Sequence, residues 1–394
     1  MPVSARIGYR FPWNAGHRFR LLVDGDEFYA AMLASIANAR HFVLLEMYLL
    51  EPGHVADRFV ATLCAAARRG VAVYVLLDGY GAHRLRRRDR QRFLDAGVEV
   101  AFFNPLKYLR WSKNLFRNHR KLLLVDGEIA YTGGAGISDV FDPGLQAGRH
   151  WHETMLEIRG PSVADWQSLF TSSWDRWAET PLQLPTTTAE PSTGQGALGR
   201  VVAHNRSMVK SEIMRSFVTH IRHARERVWL ATAYFAPPWK LRRALRRAAR
   251  RGADVRVMLP GPQTDHPAVR HLGSRYYDRL LRNGVRIFEY QPRFLHAKVL
   301  LCDGWLSIGS TNGDRWNYHL NLEANQELRD TEIIGQVRDV FEKDFSHCTE
   351  QLLGPWRHRS WRRRWPEWFW GKVAALLARF GIPYNNGSGP GFHR

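Results

Sequence analysis

A chain of 394 residues with 45% hydrophobic side chains can bury more than one core. Its formal net charge of +20 draws the surface toward polyanions, which leaves nucleic acid, anionic lipid and phosphorylated substrates as partner classes. The three cysteines, Cys64, Cys302 and Cys348, are far apart and form no Cys-x-x-Cys pair, which excludes a disulfide framework and a cysteine-ligated zinc and fits a reducing compartment.

Residues 1–13 hold no apolar run suited to a signal peptide, and no run of apolar residues long enough to span a bilayer follows. Any meeting with a membrane is expected at its surface. The pattern over 27–39 predicts a helix and that over 42–48 a buried strand. Gly70 and Gly97 each read as the cap between a helix and the next strand. Residues 107–118 mix Lys107, Arg110, Lys113 and Arg117 with Trp111 and Phe116. They either lip a site suited to an acyl-glycerol phosphate or form a surface loop over its own aromatics. Then come His119, Lys121 and Asp126, spaced His-x-Lys-(x4)-Asp around an apolar strand, and the turn Gly133-Gly134-Ala135-Gly136.

A Pro-, Thr- and Ser-rich stretch, 186–199, separates this half from a second copy. A helix is expected over 212–224, a strand over 228–235, and caps at Gly252 and Gly284. His296, Lys298 and Asp303 follow with the same spacing, ahead of Gly309-Ser310-Thr311-Asn312. The interval between copies is 252 − 70 = 182 at the first cap and 296 − 119 = 177 at the motif, so the first half carries extra residues just before its motif. The arginine runs 84–90 and 242–251 read as solvated helix faces. Beyond residue 354, Trp356, Trp361, Trp365, Trp368 and Trp370 are interleaved with arginine, a composition suited to a lipid headgroup layer or to docking on the body.

On a strand, side chains two apart share a face, so each His stands beside its Lys. The Asp, seven positions on, leaves from the other face or the strand end and is expected to brace the strand. A neutral imidazole can attack phosphorus, a second can protonate the departing alkoxide, and ammonium groups can hold the phosphoryl oxygens. Two such pairs facing one phosphate need no metal, and no cofactor is expected. A nucleophilic imidazole also needs a carboxylate on its far nitrogen.

The duplicated motif resembles the phospholipase D superfamily. Asn321-Leu322-Glu323-Ala324-Asn325, Trp151-His152-Glu153-Thr154 and Arg159-Gly160-Pro161 look like bacterial cardiolipin synthases, in particular the short type without amino-terminal membrane helices, over about residues 18–344. The resemblance implies an α/β fold of two repeated phospholipase D-like α/β/α sandwich halves with mixed sheets, related by a pseudo-twofold axis and sharing one active site. Their bounds would be 1–185 and 200–353, joined by the linker 186–199 and followed by a basic, Trp-rich membrane-surface tail, 354–394. It implies a site of His119, Lys121 and Asp126 with His296, Lys298 and Asp303, supported by Glu153 and Glu323, with Ser310 and Asn312 on the phosphate.

The implied activity is phosphatidyl transfer between two phosphatidylglycerol molecules through a phosphohistidine, giving cardiolipin and glycerol at the cytoplasmic face of the cell membrane. The family usually gives the nucleophile's role to the residue here numbered His119; the sequence leaves that choice open. Transfer to water or another alcohol is the alternative. A nuclease reading rests on charge alone, and no nucleic-acid partner is expected. Two departures stand out: Gly136 where the family commonly has Asn, and five residues between Asp303 and Gly309 against six between Asp126 and Gly133.

Overall fold

The computed structural model describes residues 10–106, 114–146, 148–185, 196–204, 211–314, 321–361, 365, 368–370 and 372–373. In the first half the strands are β1 (Asn14–Val23), β2 (Phe42–Met47), β3 (Ala72–Asp78), β4 (Glu99–Phe103), β5 (Arg117–Asn118), β6 (Lys121–Val125), β7 (Ile129–Gly133) and β8 (Thr154–Arg159). In the second they are β9 (Ala197–His204), β10 (Arg227–Ala231), β11 (Asp254–Pro260), β12 (Arg286–Tyr290), β13 (Val299–Cys302), β14 (Trp305–Gly309), β15 (Asn321–Arg329) and β16 (Cys348–Gln351).

The repeat in the sequence becomes a repeat in topology. Each half orders its strands alike, β4-β3-β2-β6-β7-β8-β1 and β12-β11-β10-β13-β14-β15-β9, with β16 added outside β12. The first three of each run are parallel and the rest antiparallel. β1 pairs with β9 and fuses the halves into one mixed sheet. Strands such as β2 and β6 are buried along their whole length, which is why they read as apolar runs interrupted only by Glu46 and Lys121.

Helices cover both faces. Asp24–Ala37 and His54–Arg68 lie over the first half, and Glu212–His223 and Trp239–Arg250 over the second, each pair with its own core. On the opposite face Ser162–Trp177 and Thr331–Ser346 bury Trp166, Phe170 and Trp174 with Val337, Phe341 and Phe345 in one core common to both halves. Gly70, Gly97, Gly252 and Gly284 all have positive φ, as helix caps require.

Three boundaries differ from expectation. The first helix starts at Asp24, earlier than residue 27. The linker ends sooner, because Ala197 already pairs with His17. The strand expected to reach residue 235 stops at Ala231, where Thr232 leaves the ladder: its hydroxyl accepts from the Gly313 amide (2.9 Å) and donates to the Tyr234 carbonyl (3.1 Å). Residues 107–113 and most of the linker and tail lie outside the described residues.

The short second motif is absorbed far from the His and Lys residues. Three residues, Asp126 to Glu128, turn β6 into β7, whereas Asp303 and Gly304 alone turn β13 into β14. The missing residue belongs to the hairpin.

Two polar networks lock the halves together. His17 Nε2 lies 2.7 Å from Ser162 Oγ, and Gln326 donates to the same hydroxyl (3.2 Å) while accepting from Trp166 Nε1 (2.9 Å). His152 is gripped between Asp24 and Asp344, 2.9 Å from each, with Arg293 also on Asp24. Burial alone would lower its pKa, but the hydrogen bonds to Asp24 and Asp344 carry it up to about 9.

The sign follows from a pKa raised above the unfolded value. The stabilisation is complete below about pH 6.5 and is lost as pH rises through about 9, amounting to about 3 kcal/mol at most. The Tm advantage of wild type over His152→Asn should therefore shrink as pH rises through that window. A Tm difference between the two that stays constant or widens from pH 6.5 to pH 9 would contradict the assignment.

Candidate active site

β5 ends one residue before His119 and pairs in parallel with β15 of the other half, Arg117 opposite Asn321 and Asn118 opposite Leu322. The matching bridge joins Leu295 to His152. These crossings are closed by backbone hydrogen bonds from His119 N to Leu322 O (2.9 Å) and from His296 N to His152 O (2.8 Å). Each crossing sets a histidine beside a glutamate of the opposite half.

His119 Nδ1 lies 3.0 and 3.2 Å from the two carboxylate oxygens of Glu323, and His296 Nδ1 lies 2.6 Å from Glu153 Oε2. Glu153, Glu323 and His296 are buried, and the His119 side chain is 12% exposed. Sequence reasoning assigned both glutamates to histidines. The reciprocal exchange depends on the cross-half bridges and carries no local signal.

Lys121 Nζ donates to the His119 carbonyl (2.7 Å) and stands 5.2 Å from the centre of the Tyr48 ring. Lys298 Nζ donates to the His296 carbonyl and to Glu153 Oε2 (3.3 Å), and approaches His296 Nδ1 to 2.9 Å. The turns after the two motifs divide the support of the glutamates differently. Ser310 Oγ donates to Glu323, whereas a Cβ at Gly134, the equivalent position, would lie 2.1 Å from Glu153 Oε2. A side chain there would displace the Glu153 carboxylate, which Lys298 holds in place of a hydroxyl.

Ser310 thus gives its one proton to Glu323 and has none for a phosphate. Asn312 is fully buried, and neither amide atom has a hydrogen-bond partner among the described residues, which leaves both for a ligand. At Gly136 a Cβ would come 2.7 Å from Leu49 Cβ, so this chain has no room for an Asn in the first turn.

The motif aspartates are bracing groups, as their parity suggested, and not part of the reacting cluster. Asp126 accepts from the amides of Arg40, His41 and Phe42 at 2.8 to 2.9 Å, and Asp303 from those of Arg225, Glu226 and Arg227 at 2.8 to 3.1 Å. Both sit at positive φ at the far end of the motif strand, a conformation Asp tolerates.

Several residues that frame the site went unread. Tyr48 and Tyr234 pack on the two histidines, with ring centres 4.8 Å from His119 and 6.4 Å from His296, and they hold the same place after their repeated strands, which was a usable signal. Trp151 and Phe141 also flank His296, at 5.1 and 5.4 Å. Around His119 the backbone is pinned by buried side chains: Arg117 reaches Asp78 (3.4 Å), Asn118 reaches Glu46 (2.5 Å) and Arg120 reaches Glu46 (3.6 Å).

Burial dominates the electrostatics. It lowers the pKa of His119, with Glu323 opposing, and that of His296 well below the usual value, with Lys298 reinforcing it. Lys121 is brought down to about 7 by burial, against the pull of Glu323. Glu153 is pushed up to about 7 by burial, with Lys298 opposing. Both imidazoles are therefore neutral at pH 7, and a cationic Lys121 is on the verge of losing its proton.

A family described as "Cardiolipin synthase, PLD-like domain" matches residues 32–174 and 217–345, one segment in each half and each containing one His-Lys pair. The chain belongs to this family. It thereby joins the phosphatidyltransferases of the phospholipase D superfamily. Cardiolipin synthase A of Pseudomonas aeruginosa is 35% identical over 360 residues, covering 90% of this chain and 72% of that protein. Cardiolipin synthase 1 of Bacillus cereus is 30% identical over 373 residues, covering 91% and 72%. Among solved structures, phosphatidylserine synthase of Haemophilus influenzae superposes with a TM-score of 0.68 at 12% identity, covering 94% of this chain and 96% of that one, a likeness of fold.

In this phospholipase D-like setting Lys121 sets a pH limit. As pH rises through about 7 the free enzyme loses the ammonium that would hold phosphate, so kcat/KM for a phosphodiester should fall. A bound phosphodiester anion keeps the proton on Lys121, so the alkaline limb of kcat should lie higher. Parallel pH profiles of the two parameters check this. Coincident limbs, or no fall in kcat/KM above neutrality, would contradict it.

Proposed function

We propose that this chain is a cardiolipin synthase that transfers a phosphatidyl group from one phosphatidylglycerol to the hydroxyl of another. The observation that carries the reading is the pair of His-Lys sets, one from each half, each histidine backed by the other half's glutamate. The relatives named cardiolipin synthase support the substrate.

The electrostatics favour His119 as nucleophile. Its Nδ1 proton is held by Glu323, which leaves the Nε2 lone pair for phosphorus. On the other side burial raises the Glu153 carboxyl to about 7, so Glu153 can carry a proton donated to His296 Nδ1 across 2.6 Å, with His296 keeping its own at Nε2. His296 is then the acid.

In the first step a bond forms between phosphorus and His119 Nε2 while the bond to the glycerol oxygen breaks, and that oxygen takes the Nε2 proton of His296. The Glu153 proton passes to His296 Nδ1. In the second step the acceptor oxygen bonds to phosphorus, the bond to His119 breaks, the acceptor's proton goes to His296 Nε2, and the Nδ1 proton returns to Glu153. Lys121, Lys298 and the Asn312 amide hold the phosphoryl oxygens.

The tail supports a membrane surface as the place of work. Trp356 docks on the body, 4.7 Å from Tyr277, while Trp361, Trp365 and Trp368 are 72%, 53% and 60% exposed beside Arg275, Arg282 and Arg359. No helix among the described residues is long and apolar enough to cross a bilayer. Replacing the three exposed tryptophans by Ala should reduce sedimentation with phosphatidylglycerol vesicles; undiminished sedimentation would count against the tail. The reaction is tested by thin-layer chromatography of labelled phosphatidylglycerol vesicles in EDTA. Cardiolipin and glycerol in equal amounts are expected, and phosphatidic acid alone would make the enzyme a hydrolase.

A further inference from the structure

The two halves are not alike around their histidines. Beyond His296 the wall is built by Tyr234, whose hydroxyl lies 2.5 Å from Asp265 Oδ2. At the interval of the Gly70 and Gly252 caps, the residue in Asp265's place in the first half is His83, exposed and turned onto Tyr80. Among the described residues, then, one half carries a carboxylate at this position and the other an imidazole.

That carboxylate is half used. Asp265 Oδ1 is buried and has no hydrogen-bond partner among the described residues, whereas Oδ2 serves Tyr234 and lies 3.6 Å from His266 Nε2. The side chain is 16% exposed, on a wall and not in a sealed core. It stands one tyrosine ring away from His296, close enough for the Lys298 ammonium to act on it. The same wall contains the Asn312 amide, which has no partner among the described residues, because the Gly313 amide is bonded to Thr232, two residues before Tyr234. An unpartnered carboxyl oxygen in such a place suits a hydroxyl, which can both donate and accept.

We propose that Tyr234 and Asp265 form an acceptor-hydroxyl subsite, where Asp265 Oδ1 accepts a hydrogen bond from the second hydroxyl of a vicinal diol while the first faces His296. The inference rests on the phosphatidyl-transfer reading and adds what selects the acceptor. The diol's first oxygen bonds to phosphorus as the bond to His119 breaks, and its proton goes to His296 Nε2. A lone alcohol or water leaves Asp265 Oδ1 unpaired in a buried place, which disfavours it.

The test is a competition inside one reaction. Labelled phosphatidylglycerol vesicles are incubated with equal concentrations of 1,2-propanediol and 1-propanol, and the ratio of the two phosphatidyl alcohols is read for wild type, Asp265→Ala and Tyr234→Phe. A ratio within one mixture is insensitive to partial misfolding or a slower enzyme. Wild type should favour the diol, and Asp265→Ala should cut the preference roughly tenfold or more, with Tyr234→Phe between them. An unchanged ratio in Asp265→Ala, or a wild type that transfers without preferring the diol, overturns the subsite and leaves phosphatidyl transfer standing. Phosphatidic acid as the sole wild-type product overturns both.

Discussion

His119→Ala is expected to lower phosphatidyl transfer on the order of 10⁴- to 10⁶-fold, because it removes the atom that bonds to phosphorus. His296→Ala should cost less, on the order of 10²- to 10⁴-fold, because it removes proton transfer alone. A phosphodiester with a nitrophenolate leaving group separates the two roles. Nitrophenolate needs no proton, so His296→Ala should still release a first burst while His119→Ala should release none. Equal bursts from the two variants would contradict the assignment of nucleophile and acid.

Glu323→Gln and Glu153→Gln are expected to reduce transfer by roughly 10²- to 10⁴-fold each, by unsettling the tautomer and orientation of the imidazole they face. The geometry makes their effects cross between halves, since Glu323 holds His119 and Glu153 holds His296. With the nitrophenyl substrate the Glu153→Gln deficit should largely vanish from the burst, as for His296→Ala, and the Glu323→Gln deficit should persist. The reverse pattern would mean that each glutamate serves its own half.

Both predictions rest on a fold whose plan was largely legible in the chain. The matched caps at Gly70 and Gly252, and at Gly97 and Gly284, mark equivalent helix-to-strand junctions, and all four take the conformation that glycine favours. Parity along the motif strands separated His and Lys from Asp, and Asp126 and Asp303 indeed tie strand ends to three amides each. Such features are local, so a sequence displays them.

The features that stayed hidden are made by contact between distant segments. Nothing near Glu153 reveals that its partner is His296, 143 residues away, because a short parallel bridge across the seam sets that pairing. Ser310 reads as a phosphate ligand until Glu323 is placed beside it. The strand ending at Ala231 gave no warning, because Thr232 is as suited to a strand as its neighbours, and a turn 81 residues further along the chain decides its bonding. Tyr48 and Tyr234 were visible as a repeated pair and needed only comparison of the two copies.

The most direct test of the shared site is to catch the intermediate. Wild-type enzyme is mixed with phosphatidylglycerol labelled in its phosphate, quenched in alkali within the first turnover and digested, and the labelled peptide is identified. The account predicts label on the peptide carrying His119, formed more slowly in Glu323→Gln and in His296→Ala. Label on the peptide carrying His296, or turnover with no labelled protein at any time, would contradict it.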